Sequence, residues 1–267
     1  MKKGIAVLLV SFFASVVFLT TIHAAVIGHD KVIGFEEVPP ASVTEIAAKH
    51  FQPYLKVING CVPFPAVDAQ GNTNGGLKPT GAPEGGCSKN TGQIYARSAW
   101  YNGVWAIMYA WYFPKDEASP GMGHRHDWEG IVVWVNNPAV NNPEVLSIAY
   151  SEHGNFINEA PSRNNMSGSH PLVAYRSVWP LNHSLHLTNE AGGTQPLINW
   201  EQLTPAAREA LNTTDFGKAN VPFNDNNFWN NLGKAWFKQP KQMPVCRAVR
   251  PAGGCIVYKT FEKNLAK

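Results

Sequence analysis

The alternation of apolar and polar residues predicts a chain built mainly from β-strands. Short runs rich in β-branched and aromatic residues are separated by Pro, Asn and Gly, as is typical of strands joined by turns. The predicted strands cover residues 93–99, 104–112, 128–135, 145–151 and 173–177. Strand runs at this spacing favour a mainly β, single-domain antiparallel β-sandwich.

Three short helices are predicted at the periphery of the sandwich. They cover residues 43–51, 205–211 and 228–236. Ser42 and Glu45 have the capping-box spacing, in which each side chain accepts from the other residue's backbone N–H. Thr204 is a favourable N-cap, and Pro205 after it suits the first helical position. These start signals make the first two helices the better defined.

The N-terminus has the pattern of a secretory signal peptide. Lys2 and Lys3 precede an apolar stretch over residues 5–19, and small residues follow near Ala24. We therefore predict a signal peptide over 1–24 and one secreted, extracellular domain over 25–267. The alternative is a retained membrane anchor, although the apolar stretch is shorter than the ~18–20 residues that span a bilayer.

The net charge bears on which classes of partner the protein can bind, and the cysteine content bears on its disulfides. Loss of a signal peptide with its two lysines lowers the formal net charge from +3 to +1. A nearly neutral domain is not expected to bind nucleic acid, or anionic lipid non-specifically, because both usually require clustered Lys and Arg. The cysteines are Cys61, Cys87, Cys246 and Cys255. An exported chain with four cysteines predicts two disulfides, and of three connectivities sequence proximity favours 61–87 with 246–255.

The segment over residues 121–129 carries the densest candidate chemistry. It places His124, His126, Asp127 and Glu129 within six positions, immediately before an apolar strand pattern. Asp127 and Glu129 are two apart, so they share one face of an extended chain. Carboxylates clustered away from water repel each other unless a cation joins them. The segment therefore predicts a metal site.

Two other interpretations of the segment remain open. A cupin-like metalloenzyme would use two histidines and a later glutamate, but only two residues separate His126 from Glu129, and no second cupin half is present. Alternatively, the acidic groups pair with Arg125 and neighbouring backbone and only organise a loop. Trp128 and Trp134 alternate with the acidic residues and are expected in the core. Asp68 and Glu117 are interpreted as solvent or loop groups.

Several motifs together resemble the necrosis- and ethylene-inducing-like proteins. The most specific is the heptapeptide Gly-His-Arg-His-Asp-Trp-Glu at 123–129, the family's hallmark. The resembling segments are residues 59–61, 65–68, 71–81, 106–116, 123–129, 179–183, 200–204 and 215–222. They occur in the same order over nearly the whole mature chain. The resemblance implies a secreted cytolysin of plant-associated microbes, without enzymatic activity, on a sandwich similar to actinoporins and some lectins.

The resemblance also implies a set of cation ligands. In the family, a divalent cation is held by an Asp in a Pro-Lys-Asp turn and by the first His, the Asp and the Glu of the heptapeptide. The matching residues are Asp116, His124, Asp127 and Glu129. Three carboxylates and one imidazole suit Mg²⁺ or Ca²⁺ that keeps some water ligands. Arg125 and His126 alternate with these residues and are expected to support them from behind.

The implied partners belong to the plant cell. The family binds glycosyl inositol phosphoryl ceramide, a sphingolipid of plant plasma membranes, and the head group is expected at the cation. By resemblance, Trp179 and His183 contact the head group or the membrane; an indole also suits a membrane interface. The segment 106–129 resembles a fragment that a plant immune receptor detects. A lectin of the same fold that does not lyse membranes is the principal alternative, and Asn165, Asn182 and Asn212 lie in glycosylation sequons.

Overall fold

The computed structural model describes residues 24–178 and 182–237, together with the backbone of two short strands beyond them. Its elements in chain order are β1 (Val26–Ile27), α1 (Val43–His50), β2 (Tyr54–Val57), β3 (Thr73–Asn74), β4 (Ile94–Tyr101), β5 (Val104–Ser119), β6 (Met122–Val135), β7 (Val145–Glu152), β8 (Asn155–Glu159), β9 (Met166–Ser167), β10 (His170–Val178), β11 (Asn182–Leu187), β12 (Leu197–Asn199), a 3-10 helix (Trp200–Gln202), α2 (Pro205–Thr213), α3 (Phe228–Lys234), β13 (Cys246–Val249) and β14 (Cys255–Val257). The mainly β prediction is confirmed.

The two larger sheets form the two layers of the domain. The first has the order β12-β4-β5-β6-β7-β8, and the second has the order β11-β10-β2, with β9 beside β10. Strands β10 and β11 lie against β5 and its neighbours. Between the layers, the ring of Phe113 stacks on that of Tyr175 with 3.9 Å between centroids. Most pairings are antiparallel as predicted, but β12 pairs with β4, β2 with β10, and β1 with β3 in parallel.

The predicted helices form with nearly the predicted bounds. Both halves of the Ser42–Glu45 capping box are present at α1. The Thr204 hydroxyl accepts from the backbone N–H of Ala207 at the start of α2. The third helix ends at Lys234, two residues before its predicted end. None of the helices within the described ranges is long and apolar enough to cross a membrane.

One predicted disulfide is confirmed, and the second cannot be placed. Cys61 and Cys87 are bonded, which closes the Gly- and Pro-rich loop over residues 59–92. The backbones of the strands that carry Cys246 and Cys255 pair antiparallel, but the side chains of these two cysteines lie outside the described residues. The predicted signal peptide lies outside them as well, except for Ala24.

Candidate functional site: an acidic cavity at the end of a long hairpin

The candidate residues lie on a β-hairpin that is longer than the sequence predicted. Strands β5 and β6 extend to Ser119 and from Met122, so the Pro-Lys-Asp segment is part of a strand and not a turn. Asp116 pairs directly with His124 across the hairpin. Gly123 has φ 144°, and a Cβ there would lie 1.9 Å from the carbonyl oxygen of Asp116. The glycine that opens the heptapeptide therefore permits the close approach of the two strands.

A left-handed residue brings the ligand candidates into one site. His124 and Asp127 are three residues apart, so regular alternation would place them on opposite faces of the sheet. His126 between them has φ 62°, which interrupts this alternation. The hydroxyl of Tyr112 lies 2.6 Å from Nδ1 of His126 and holds its ring in the buried interior. The strain at one non-glycine residue thus accompanies the convergence of the cluster.

The four predicted ligands line a single cavity of about 390 Å³. Asp116, Asp127 and Glu129 are buried, with 2%, 7% and 8% of their surface exposed. The side chain of His124 is 27% exposed. Other walls come from the β7–β8 turn, the start of β11 and residues 218–234. The structure therefore brings together all four residues that the resemblance selected.

Each of the three carboxylates is held by a side chain from a neighbouring strand. Asp116 Oδ1 accepts from Nδ1 of His183 at 2.7 Å. Asp127 Oδ2 accepts from the Tyr175 hydroxyl at 2.8 Å, and Glu129 Oε2 accepts from the hydroxyl of Ser151. In each carboxylate one oxygen is anchored in this way, and Asp127 also accepts from the backbone N–H of Trp128.

Burial and mutual repulsion oppose ionisation of two of these acids. Burial raises the pKa of Asp127 well above its ordinary value, and the negative charge of Asp116 raises it further. Burial likewise raises the pKa of Glu129, followed by the charge of Asp127. The hydrogen bonds from Tyr175 and Ser151 lower these pKa values only in part. A bound cation would relieve both effects, because it supplies the missing positive charge.

His124 is oriented as a metal-binding histidine usually is. Its Nδ1 lies 2.9 Å from the carbonyl oxygen of His126, so this nitrogen carries the proton. In the neutral ring Nε2 then keeps its lone pair, and this atom lies 3.7 Å from Asp116 Oδ2. A backbone carbonyl that fixes the tautomer from behind is the common arrangement at metal sites.

The donor set fits a divalent cation, although it is not a closed cage. In the described residues no group of three or more His, Cys, Asp or Glu side chains is placed, as it stands, so that it could hold a metal ion. The four candidates line one cavity and offer mainly oxygen. This is the chemistry expected of Mg²⁺ or Ca²⁺ that retains several waters. The ligand assignment itself stays a prediction.

The supporting residues take different roles from those of the ligands. Arg125 donates from Nη1 to the carbonyl oxygens of Gly75 and Gly76 and makes no ion pair with the described carboxylates of the cavity. This contact disfavours the interpretation in which Arg125 merely neutralises the acids. Burial, followed by the charge of Arg125, lowers the pKa of His126 to about 4. The Tyr112 hydroxyl contacts Nδ1 of His126, which disfavours His126 as a second histidine ligand of a cupin-like site.

The structure bears differently on the two residues that were predicted to contact the head group or the membrane, His183 and Trp179. His183 lines the cavity, but only 1% of its surface is exposed. Its Nδ1 and backbone N–H both donate to Asp116, and its Nε2 lies 3.1 Å from the Ser177 hydroxyl. His183 therefore positions Asp116, while direct contact with a head group stays a prediction. Trp179 lies outside the described residues.

Glu117 is not the solvent group that the sequence suggested. It is fully buried, forms an ion pair with Lys115, and accepts from the backbone N–H groups of Thr80, Gly81 and Gly121. It thus fastens the disulfide-closed loop to the tip of the hairpin. Asp68 accepts from the backbone of its own loop, as expected of a loop group.

Sequence reasoning missed the residues that hold the acids. Tyr175 and Ser151 follow ordinary strand patterns, and no motif singles them out. The far wall includes Lys218, which lies inside a segment that resembled the family without any assigned role. In the sequence, only the resemblance of this segment to the family pointed to the wall that carries Lys218.

Comparisons with known proteins identify the family of the chain. Residues 45–235 match the family model described as "Necrosis inducing protein (NPP1)". "NLP effector protein 10" of Phytophthora capsici is 52% identical over 85% of this chain and 99% of its own length. The solved structure "NLPPya in complex with mannosamine" has a TM-score of 0.76 and 49% identity over 80% of this chain and 100% of that one. "Crystal structure of non-toxic HaNLP3 protein" has a TM-score of 0.76 and 47% identity, with 79% and 100% coverage. The chain therefore belongs to the necrosis inducing protein (NPP1) family.

Proposed function

We propose that this protein is a secreted, non-enzymatic cytolysin that uses a divalent cation to bind sphingolipid head groups of plant plasma membranes. The observation that carries the proposal is the cavity. Three buried carboxylates and Nε2 of His124 meet there, and no Lys or Arg side chain of the described residues forms an ion pair with these carboxylates. Asp116, His124, Asp127 and Glu129 would hold the cation, and water would complete its coordination.

Because one side of the cavity is open, a cation bound there would be accessible to the head group of a lipid. A bound ion would offer exchangeable coordination positions to sugar hydroxyl groups, which replace water at little cost. The mannosamine complex of NLPPya supports a sugar as the class of ligand. We assign the head group to glycosyl inositol phosphoryl ceramide, with Trp179 settling at the membrane interface. Docking then perturbs the bilayer, small solutes leak, and necrosis, ethylene production and immune responses follow in the host.

Dye release from lipid vesicles tests this function. Vesicles that contain plant glycosyl inositol phosphoryl ceramide are expected to leak when the mature protein and Mg²⁺ or Ca²⁺ are added. Excess EDTA should abolish the release, because water cannot replace the charge of the cation. Vesicles of phosphatidylcholine alone are the control and should remain sealed. Release that persists after verified removal of all metal would contradict the role of the cation.

A non-lytic lectin of the same fold is the second candidate. One structural relative, HaNLP3, is described as non-toxic at 47% identity, so similarity at this level does not by itself establish lysis. Cosedimentation of the protein with the same vesicles separates the two functions. Binding that EDTA reverses, without any dye release, would favour the lectin over the cytolysin.

We also propose that residues 106–129 are detected by a plant immune receptor as a released fragment. The segment forms most of β5 and β6, and all of Val104–Ser119 is buried. A receptor could not reach most of it in the folded domain. A synthetic 106–129 peptide should therefore induce ethylene in responsive leaves, while a peptide of the same composition in scrambled order should not. Equal responses to the two peptides would exclude recognition of this sequence.

A further inference from the structure

The charges of the mature chain are divided unevenly between the domain and a C-terminal extension, residues 238–267. The extension carries seven lysines and arginines but a single acidic residue, Glu262, which gives it a net charge of +6. Residues 25–237 carry 13 basic and 18 acidic residues, a net charge of −5. The net charge of +1 for the mature chain is therefore the balance of an acidic domain and a strongly basic extension.

The C-terminal extension lies beyond the part of the chain that matches the family model, which ends at residue 235. The backbones of β13 and β14 in this extension pair antiparallel, with Cys246 opposite Val257. The pairing folds the chain back on itself, so Arg247 and Lys259 both lie within two residues of one paired position. The pairing therefore concentrates positive charges from both halves of the extension.

The domain itself is a poor site for an anionic partner. Its acidic residues outnumber its basic ones, so its net charge repels an anionic surface. Five of its 13 Lys and Arg side chains form ion pairs with acidic side chains, those of Lys31, Lys49, Lys56, Arg97 and Lys115. An anionic surface would therefore be bound by the extension and not by the domain.

The C-terminal extension begins within reach of the cavity. Phe237, the last residue described before the extension, packs on Trp134 with 5.7 Å between ring centroids. Trp134 and the cavity residue Glu129 are five residues apart on β6, roughly 17 Å along a strand. An extended chain covers about 3.3 Å per residue, so a few residues of the extension span this distance. The extension and the cavity can therefore contact the same membrane.

The sequence of the extension favours a lipid surface as its partner. Clusters of Lys and Arg bind anionic lipid head groups. In the extension, aromatic residues stand among the lysines, since Tyr258 precedes Lys259 and Phe261 lies between Lys259 and Lys263. Aromatic side chains suit the boundary between water and lipid. An acidic polysaccharide would match the positive charge but would offer these side chains no apolar layer.

We propose that the C-terminal extension is a second membrane-binding module, which binds anionic phospholipid surfaces without a metal ion. The module acts apart from the cavity, so the inference does not rest on the proposed function. It differs from the expectation drawn from the net charge, which treats the charge as evenly distributed along the chain. A protein that holds a membrane at two places dissociates more slowly than one that holds it at either place alone.

Cosedimentation with vesicles in the presence of excess EDTA tests this module alone. One set of vesicles consists of phosphatidylcholine, and the other of phosphatidylcholine and phosphatidylserine in equal amounts. Neither set contains glycosyl inositol phosphoryl ceramide. The mature protein is expected to sediment with the phosphatidylserine vesicles and to ignore the others. High salt should release it, because exposed charges are screened.

Substitutions in the full mature chain assign the binding to the extension. The triple variant Lys259→Gln, Lys263→Gln and Lys267→Gln should bind the phosphatidylserine vesicles roughly 100-fold more weakly, at about fivefold for each lysine. These residues follow the hairpin and lie outside the domain, so the variant is expected to keep the fold of the domain.

The matched control removes the same number of positive charges from the domain. Lys78→Gln, Lys89→Gln and Arg163→Gln change exposed residues that do not line the acidic cavity. Binding to phosphatidylserine vesicles should be unchanged in this variant. Equal weakening in the two triple variants would show that only the total charge matters, which would overturn the assignment to the extension.

The remaining outcomes separate this inference from the proposed function. Absence of binding to phosphatidylserine vesicles would overturn the inference, and so would full binding by the variant of the extension. Binding to polygalacturonate beads but not to phosphatidylserine vesicles would overturn it in favour of an acidic polysaccharide. EDTA-sensitive leakage of glycosyl inositol phosphoryl ceramide vesicles by a protein that ignores phosphatidylserine would uphold the proposed function alone. Phosphatidylserine binding without any such leakage would uphold the module alone.

Discussion

Asp116→Asn is expected to abolish cation-dependent dye release while the protein remains folded. The substitution removes one of the three carboxyl groups from the cavity but keeps an oxygen that can accept from the backbone N–H of His183, as Oδ1 does now at 2.9 Å. Loss of a ligand should weaken cation binding by at least about 10- to 100-fold, the range found when only supporting residues of metal sites are changed. Isothermal titration with Mg²⁺ or Ca²⁺ and vesicle leakage measure the two effects.

The choice of asparagine at this position follows from the burial of Asp116. An alanine would leave the backbone N–H and ring N–H of His183 without their acceptor, at a cost of about 1–3 kcal/mol for each buried donor. Lost activity in Asp116→Ala could therefore reflect unfolding. Asp30→Asn is the matched control, because Asp30 is exposed and does not line the cavity. Full leakage by Asp116→Asn with no change in cation affinity would remove Asp116 from the site.

The local patterns in the sequence predicted the three α-helices and the strands β4, β5, β6, β7 and β10, but not the other strands or the full length of the long hairpin. The capping box at Ser42 and the N-cap at Thr204 depend on contacts within one turn, so sequence alone located α1 and α2. Strand β5 extends seven residues beyond its predicted end at residue 112. The family resemblance implied a Pro-Lys-Asp turn, yet Pro114 lies within strand β5, which runs through this segment without interruption. Such a position depends on the partner strand, which the local sequence does not reveal.

The candidate site, like the fold, was predicted from the sequence only in part. The spacing of Asp127 and Glu129 predicted their shared face, and the family resemblance supplied Asp116 and His124. Their convergence depends on the left-handed conformation of His126, which histidine adopts more often than most residues but which no local pattern assigns to this position. Tyr175 reaches Asp127 from a strand 48 residues away in the chain. Contacts across that separation follow from the packing of two sheets and not from any local pattern.

Glu117→Gln is expected to destabilise the folded protein by about 3–5 kcal/mol, the cost of removing one partner from a buried ion pair. Lys115 would keep its hydrogen bonds to the Thr80 hydroxyl and the Ala82 carbonyl oxygen, but it would lose its counter-charge. One side-chain oxygen would also become an N–H donor that faces backbone donors of the loop. Urea unfolding with the Cys61–Cys87 disulfide intact measures the change. Glu84→Gln, an exposed substitution in the same loop, should change the free energy of unfolding little.

The effect of Glu117→Gln should depend on pH in a direction that the structure fixes. Burial raises the pKa of Glu117, but the hydrogen bond from Lys115 and those from the backbone outweigh it and hold the pKa at about 2, below the ordinary 4.5. A carboxyl with a depressed pKa contributes stability above its unfolded-state pKa and loses it as pH falls. The difference between wild type and variant should thus be largest above pH 4.5 and shrink towards pH 2. A difference that stays constant over this range would show that shape and hydrogen bonding, and not the charge of Glu117, fasten the loop to the hairpin.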